Sequence, residues 1–167
     1  MNDYRANEKT FQILTQVAGR AGREKDQGRV VIQSYNPQNF AIQCAKEQNY
    51  EKFYQTEIEL RKQLKYPPFC DIIVVGFESY KINEIQEVSN KIYEFLDLKL
   101  DKEKYNVFKP LPSPIDKIQN RNRYRIIIKG KLDENGNKIL NQSIKELENL
   151  NKKDTYMTIE VNPNNMI

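Results

Sequence analysis

The sequence contains no histidine and no tryptophan, and only two of its 167 residues are cysteines. Cys44 and Cys70 lie far apart and form no Cys-x-x-Cys pair. Zinc sites are built from closely spaced cysteines and histidines, so the sequence excludes a structural zinc site and predicts no metal ligands. A disulfide framework is excluded for the same reason, and both thiols are expected to be core or boundary residues.

The sequence also lacks long apolar runs. No segment approaches the ~18 to 20 apolar residues that cross a bilayer, and the start of the chain has neither the basic nor the apolar region of a signal peptide. These absences predict a cytoplasmic protein with no membrane partner. The residues present are 38% hydrophobic and 30% charged, which suits one compact domain or a small domain with an appendage.

The positive charge of the chain is concentrated in one segment. Residues 117–131 read KIQNRNRYRIIIKGK and hold six cations and no acid, although the whole chain carries a net charge of only +4. Such a segment is typical of a surface that contacts phosphates, and the alternative is a solvated face paired with acids elsewhere. The candidate nucleic-acid-binding residues are Lys117, Arg121, Arg123, Arg125, Lys129 and Lys131.

The first part of the chain is predicted to be mainly helical. Apolar residues recur at helical spacing over 8–17, after which glycines weaken or end the helix. The β-branched run over 28–35 predicts a short strand. No proline or glycine occurs over 38–64, where the pattern predicts two helices with a break near Asn49. Acids two apart in this stretch, such as Glu57 and Glu59, are expected to be solvated surface residues.

Pro67 and Pro68 mark the start of a second domain, because two successive prolines cannot continue a helix. Beyond them the pattern predicts the order strand, helix, strand, strand, helix, strand. The sequence therefore predicts an α+β fold of the split βαβ, ferredoxin-like plan, with two helices on one face of a four-stranded antiparallel sheet. The predicted strands cover 70–79, 105–111, 123–130 and 156–161, and the apolar faces of the helices run over 82–96 and 140–150.

A motif of glycines and arginines occupies residues 16–23, which read QVAGRAGR. On a helix, Gln16, Arg20 and Arg23 are spaced four and three apart and project from one face. The glycines beside the arginines let another surface approach closely, and guanidinium groups placed there suit contact with a triphosphate. The alternative is that these cations only complement the dipole at the end of a helix.

The motif resembles motif VI of superfamily-two helicases, Gln-x-x-Gly-Arg-x-Gly-Arg. Its neighbours extend the resemblance over residues 3 to 167, which are similar to the C-terminal part of the primosomal replication-restart helicases. The resemblance implies a nucleoid-associated protein that acts in primosome assembly at stalled or branched forks. The segments that carry it are DYRANEKTFQILTQVAGRAGR, GRVVIQSYNP, YEKFYQTEIELRKQLKYPPF, RYRIIIKGK and VNPNNMI, in this order.

The resemblance implies roles for the motif residues. Arg23 would be the catalytic arginine finger, Arg20 a second contact to the phosphates, and Gln16 a sensor of the nucleotide. Gly19 would belong to the same nucleotide-binding element.

The resemblance also implies a domain plan. Residues 1–35 would be the end of the second helicase lobe, 36–66 a helical connector, and 67–167 a C-terminal DNA-binding domain of the kind that resembles a small ribosomal protein. The implied partners are branched or single-stranded DNA, single-stranded-DNA-binding protein and other primosome proteins.

Much of a helicase active site is missing from the sequence. It has no G-x-x-x-x-G-K-[ST] loop for phosphates, no Asp-Glu box for magnesium, and none of the paired cysteines that bind zinc in the full helicase. We therefore expect a fragment that alone neither hydrolyses ATP nor unwinds DNA. ATP and magnesium would belong to the intact parent protein, and zinc to its upstream part.

The basic segment has two predicted faces if it forms a strand. Residues 121, 123, 125, 127 and 129 would form a mostly cationic face, while Tyr124 would lie on the core face and serve in packing rather than in stacking on a base. Two other functions stay open at this point. The chain could be a freestanding nucleic-acid-binding module of ribosomal-protein type, or a scaffold whose sheet docks a partner protein.

Overall fold

The computed structural model describes residues 3–21 and 29–164. The described chain divides into two compact units, one ending at Leu64 and the other beginning at Lys65. The division lies two residues before the start of the predicted C-terminal domain at Pro67. Residues on both sides of position 35 belong to the first unit. The assignment of residues 1–35 to a helicase lobe and of residues 36–66 to a connector stays a prediction.

Among its described residues the first unit contains three helices, α1 (Ala6–Ala21), α2 (Phe40–Lys46) and α3 (Tyr50–Gln63). Asparagine side chains cap the second and third helices, because Asn39 accepts a hydrogen bond from the Ala41 amide and Asn49 accepts one from the Lys52 amide. The predicted break near Asn49 is confirmed. The first helix runs through Gly19, which therefore does not end it.

Stacked aromatic rings form the centre of the first unit. The rings of Phe11 on α1 and Phe53 on α3 lie 4.3 Å apart and nearly parallel. Ala41, Cys44 and Ala45 of α2 complete this buried cluster, so small residues on the short helix accommodate large ones on its neighbours. The Cys44 thiol is buried here, and Cys70 is buried in the second unit.

The expectation of a solvated Glu57 is wrong. Its side chain is only 6% exposed and lies on α3. It accepts hydrogen bonds from Arg61 Nε at 2.8 Å and from Asn7 Nδ2 at 3.2 Å. A carboxylate can be buried when a guanidinium and an amide satisfy its oxygens, and these partners are not visible from the spacing of acids along the helix.

The predicted strand over 28–35 is also not observed. Its first residue lies outside the described residues, and residues 29–35 form neither helix nor strand. Val31 is 81% exposed, and none of the described strands pairs with this segment. A strand requires a neighbouring strand for its backbone hydrogen bonds, so the β-branched composition of this run is not sufficient to form one.

The second unit is built on an antiparallel sheet with two helices. Along the sheet the strands pair in the order β2, β4, β1, β5, and β3 pairs with β4 beside β2. The α+β class is confirmed. The elements are β1 (Asp71–Ser79), α4 (Ile82–Lys99), β2 (Tyr105–Val107), β3 (Leu111–Ile118), β4 (Arg121–Gly130), α5 (Glu134–Asn149) and β5 (Thr155–Val161).

Within residues 29–164 the structure shows a sheet of five strands, where four were predicted. The additional strand, β3, comes from the proline-containing segment that the sequence pattern places in a turn, and it forms a hairpin with β4. The two turn residues, Gln119 and Asn120, both have positive φ (49° and 63°), as the tight turns of hairpins require. Pro112 lies in β3, which pairs with β4 alone, and edge strands tolerate a residue that cannot donate a hydrogen bond.

One face of the sheet carries the core of the second unit. Alternate residues of β1 and β4 pack against the apolar faces of α4 and α5. The opposite residues of the same strands form the second face of the sheet. The core is formed by Ile73, Val75, Phe77, Ile85, Val88, Ile92, Leu96, Leu100, Tyr105, Ile126, Ile128, Ile139 and Leu140.

Candidate nucleic-acid interface

The basic segment forms β4, which lies between β1 and the pair of strands β2 and β3. Ile126 and Ile128 are fully buried on the core side, as the alternation predicts. Tyr124 packs against the same core, and its hydroxyl accepts a hydrogen bond of 2.9 Å from Gln86 Nε2. The structure thus gives Tyr124 the packing role that its position on the strand predicts.

Arg125 lies on the other side of β4 and is only 8% exposed. Burial lowers the pKa of its guanidinium, and the positive charge of Arg123 adds to this effect. Ile127 on the same face is buried as well. The cationic face is therefore not open along its whole length, and Arg125 has little surface available for a phosphate. Alternation along the strand could not predict the burial of Arg125, because it indicates which face of the sheet a residue lies on and not how exposed that face is.

Arg121 begins β4 and lies between two tyrosine rings. Its guanidinium carbon is 4.9 Å from the ring centre of Tyr80 and 4.8 Å from that of Tyr156. These distances are within the range of cation–π contacts. The pKa of Arg121 is raised, first through its interaction with the Tyr80 side chain. The arginine is thus fixed at one end of the sheet.

Arg123 lies opposite Glu78 of β1. Its Nε is 3.3 Å from Glu78 Oε1, while the guanidinium of Arg121 is 3.9 Å from the other oxygen of the same carboxylate. One acid therefore faces two arginines. The alternative that the cations pair with acids elsewhere in the chain therefore applies in part to Arg123, which shares Glu78 with Arg121.

The lysines of the basic segment lie in three different environments. Lys129 is placed with its ammonium 4.1 Å from the ring centre of Tyr66, and burial lowers its pKa. Lys131 is largely exposed, and its ammonium is 3.5 Å from Asp71 Oδ2. Lys117 is exposed on β3, close to the hairpin turn. The hairpin and the exposed end of β4 therefore present most of the accessible charge.

Asp71 is held mainly by groups other than Lys131. Burial raises the pKa of its carboxyl, but hydrogen bonds from Asn162 Nδ2 and the Leu132 amide, each 2.9 Å, lower it, and Lys131 adds to this, so the net direction is downward. Because the carboxylate already has two other donors, the Lys131 ammonium can be turned toward a phosphate without leaving Asp71 unsatisfied.

Sequence reasoning missed the tyrosines and acids that surround the basic strand. Glu78 lies near the end of β1, Tyr80 directly follows that strand, and Tyr156 lies on β5, all far from the segment in the sequence. An acid and a tyrosine near the end of β1 were the available signal. Only the antiparallel register, which pairs Glu78 with Arg123, brings them to the arginines.

The structure describes part of the glycine and arginine motif. Gln16, Gly19 and Arg20 lie on α1 and are exposed, with the glutamine and the arginine one helical turn apart. Nothing lies within 4 Å of where a β-carbon of Gly19 would be. Arg23, the predicted arginine finger, lies outside the described residues. The approach of a second surface to this turn stays a prediction.

Within residues 3–21 and 29–164, no group of three or more histidine, cysteine, aspartate or glutamate side chains is arranged to hold a metal ion. In the same part of the chain, no helix combines the length and apolar character needed to cross a bilayer.

The chain matches a family model described as the primosomal protein N C-terminal domain over residues 62–164. It is also similar to replication restart protein PriA of Bacillus subtilis, with 35% identity over 96% of this chain and 20% of the relative. PriA of Chlamydia pneumoniae is 35% identical over 96% of this chain and 21% of its own length, and PriA of Borreliella burgdorferi is 38% identical over 75% and 19%.

Among solved structures, the de novo designed protein Foldit4 is similar, with a TM-score of 0.43 at 9% identity over 57% of this chain and 99% of that one. The chain spans about a fifth of the length of the curated relatives named above. The family model covers the whole second unit up to Asn164, including every cation of the basic segment. The chain belongs to the PriA family and carries its primosomal protein N C-terminal domain.

Proposed function

We propose that this chain acts as the C-terminal part of a DNA helicase of replication restart, and that its second unit grips branched or single-stranded DNA during primosome assembly. The observation that carries the proposal is that the matched family domain, residues 62–164, contains the whole basic segment. The relatives that share this domain are named replication restart proteins.

The geometry of the basic segment supports contact with phosphates. Lys117 and Lys131 are exposed, and Arg121 and Arg123 keep part of their guanidinium groups accessible. Two acids, Glu78 and Asp71, face these four cations, so a positive excess remains at the surface. Phosphate contacts of this kind position a nucleic acid without reading its sequence, which suits a protein that acts on forks of any sequence.

The motif on α1 supports a separate contribution to the parent protein. We propose that Arg20 and Arg23 reach the phosphates of ATP across a cleft between helicase lobes, with Gln16 and Gly19 beside them. An exposed guanidinium and amide one turn apart suit phosphate oxygens. Bound ATP would supply the phosphoryl group for hydrolysis. In this proposal, ATP and magnesium belong to the intact parent protein.

We propose that the isolated chain has no enzymatic activity. Its sequence has no phosphate-binding loop and no acidic box, so its arginines have no bound nucleotide to act on. Single-stranded-DNA-binding protein and other primosome proteins are proposed partners of the parent by family resemblance, and zinc is proposed only for its upstream part.

Binding of three nucleic acids at two salt concentrations tests the proposed function. We expect the purified 167-residue chain to bind a fork and single-stranded DNA more tightly than structured RNA, and to bind each more weakly at higher salt. RNA affinity equal to or above that for fork DNA would instead support a freestanding module of ribosomal-protein type. Little affinity for any of the three would support a protein-interaction scaffold and contradict the DNA-binding role.

A further inference from the structure

We propose that Tyr80, Arg121 and Tyr156 form a stacking site for an unpaired base of single-stranded nucleic acid. The proposal rests on the nucleic-acid-binding role proposed above. It adds a site that contacts the flat face of a base, in addition to the cations that contact phosphates. It concerns the end of the sheet where the last residues of β1, the first residue of β4 and the second residue of β5 lie side by side.

The two rings are partly covered and partly open. The guanidinium of Arg121 lies 4.9 Å and 4.8 Å from the two ring centres, so it occupies part of each aromatic surface. Tyr80 is nevertheless 56% exposed and Tyr156 is 54% exposed. If the rings served only to hold the arginine, burying them would stabilise the fold further. Their exposure leaves aromatic surface for a third planar group.

The backbone around the rings is fixed by hydrogen bonds. Asn122 Nδ2 donates to the carbonyl oxygens of both Ser79 and Tyr80, at 3.2 Å each. The Thr155 hydroxyl, next to Tyr156, donates to Glu84 at 2.7 Å. The rings are thus presented by a rigid part of the sheet, which lowers the entropy lost when a ligand binds.

The charge around the rings favours a nucleotide over an uncharged planar ligand. Glu78 lies 3.9 Å from Arg121 and 3.3 Å from Arg123, so one carboxylate faces two guanidinium groups. Lys81, which follows Tyr80, faces two acids, Asp154 at 2.8 Å and Glu84 at 3.8 Å. The cations that can meet a phosphate beside the rings are therefore Arg121 and Arg123, which share one acid, and guanidinium groups next to aromatic planes are how proteins hold single strands without sequence preference.

An oligonucleotide with abasic sites separates base stacking from phosphate contact. The 167-residue chain is titrated against a labelled single-stranded oligonucleotide and against the same strand with its central bases removed and all phosphates retained. We expect the intact strand to bind about 5- to 150-fold more tightly, the range that corresponds to stacking of one base.

Tyrosine variants assign that preference to the proposed site. We expect Tyr80→Leu and Tyr156→Leu to remove the preference for the intact strand while leaving affinity for the abasic strand within about twofold. Tyr80→Phe and Tyr156→Phe keep the rings and should keep the preference. Tyr35→Leu is the matched control, because Tyr35 is fully exposed in the first unit. Circular dichroism confirms that each variant is folded.

The outcomes distinguish failure of the stacking site from failure of the proposed function. If wild type binds both strands equally with a strong salt dependence, the stacking site is wrong and the phosphate-binding role stands. If wild type prefers the intact strand but the leucine variants retain that preference, the base stacks elsewhere and the site is again wrong. If wild type binds neither strand, the proposed function fails together with the inference.

Discussion

The hydroxyl of Tyr105 donates a hydrogen bond of 2.9 Å to the carboxylate of Asp133, which joins the start of β2 to the start of α5. The same carboxylate oxygen accepts a 2.7 Å hydrogen bond from the Gly136 amide and so caps the helix. The Gly136 amide, followed by Lys104 and Tyr105, lowers the pKa of the Asp133 carboxyl to about 2.

The first prediction concerns acid stability. The folded pKa of Asp133, about 2, lies below its unfolded value of about 3.9, so its stabilising effect is complete above about pH 4 and is lost as the pH falls toward 2. We expect Asp133→Asn, which keeps a capping oxygen but has no charge, to lose less stability than wild type between pH 4 and 2. Urea unfolding followed by circular dichroism measures this difference.

The control for the acid-stability experiment is Glu134→Gln, which removes an exposed charge from the next residue. Its loss of stability on acidification should match that of wild type. Equal acid dependence for wild type and Asp133→Asn would contradict the role assigned to the Asp133 carboxylate.

The second prediction compares two glycines. A β-carbon at Gly130 would meet the Tyr105 ring and come within 2.6 Å of the Lys104 carbonyl oxygen, whereas one at Gly19 would meet nothing within 4 Å. We expect Gly130→Ala to lower the free energy of unfolding by about 1 to 3 kcal/mol through overpacking. Gly19→Ala should raise it by about 0.5 to 1 kcal/mol, since alanine favours the helix. Chemical denaturation of both variants checks these signs.

The third prediction concerns the buried acid of the first unit. Glu57→Ala leaves Arg61, which also contacts Glu8 at 2.9 Å, without its nearer carboxylate, so we expect a loss of about 2 to 3 kcal/mol in the free energy of unfolding. Glu57→Gln should lose less because it keeps an acceptor. Glu59→Ala, on an exposed position of the same helix, is the control and should change stability by less than about 0.5 kcal/mol. An equal loss in the free energy of unfolding for Glu57→Ala and Glu59→Ala would contradict the stabilising role assigned to the buried Glu57 carboxylate.

The fourth prediction concerns the arginines of the motif. The purified chain should show no ATP hydrolysis above background, with or without DNA, because nothing in its sequence can cradle the phosphates. The measurement is phosphate release at saturating ATP and magnesium, with Arg23→Ala as the control. DNA-stimulated hydrolysis that is lost in Arg23→Ala would refute the prediction, while hydrolysis that persists in this variant would expose a contaminant.

The sequence predicted the second unit well where local pattern and tertiary contact agree. Alternation in β1 and β4 and the apolar face of α4 predicted the sheet and its helices, since burial on one face is what these patterns record. The hairpin strand β3 was missed because its prolines argue against a strand, and only its pairing with β4 at the edge permits one.

The remaining errors share a physical cause. Val31 and its neighbours have the composition of a strand, but no described strand pairs with them. Glu57 has the spacing of a surface acid, but its carboxylate is buried and accepts a hydrogen bond from Arg61. Likewise, the alternation along β4 placed Arg125 on the predicted cationic face, but it did not show that this face is buried at Arg125 and Ile127. Each property depends on residues distant in the sequence, which local periodicity does not report.

The salt dependence of DNA binding tests the central claim most directly. The claim is that the basic segment contacts phosphates, so the negative slope of log K against log salt for a forked duplex should become shallower by about 0.9 for each contact removed. The variants are Lys117→Gln, Arg123→Gln and Lys131→Gln. The control is Lys145→Gln, an exposed lysine on α5, whose helix packs on the opposite face of the sheet.

We predict that each of the three variants weakens binding and makes the negative slope shallower by about 0.9, while the control leaves both unchanged. Affinity and slope equal to wild type in all three variants would contradict the assignment of the basic segment as the DNA-binding surface.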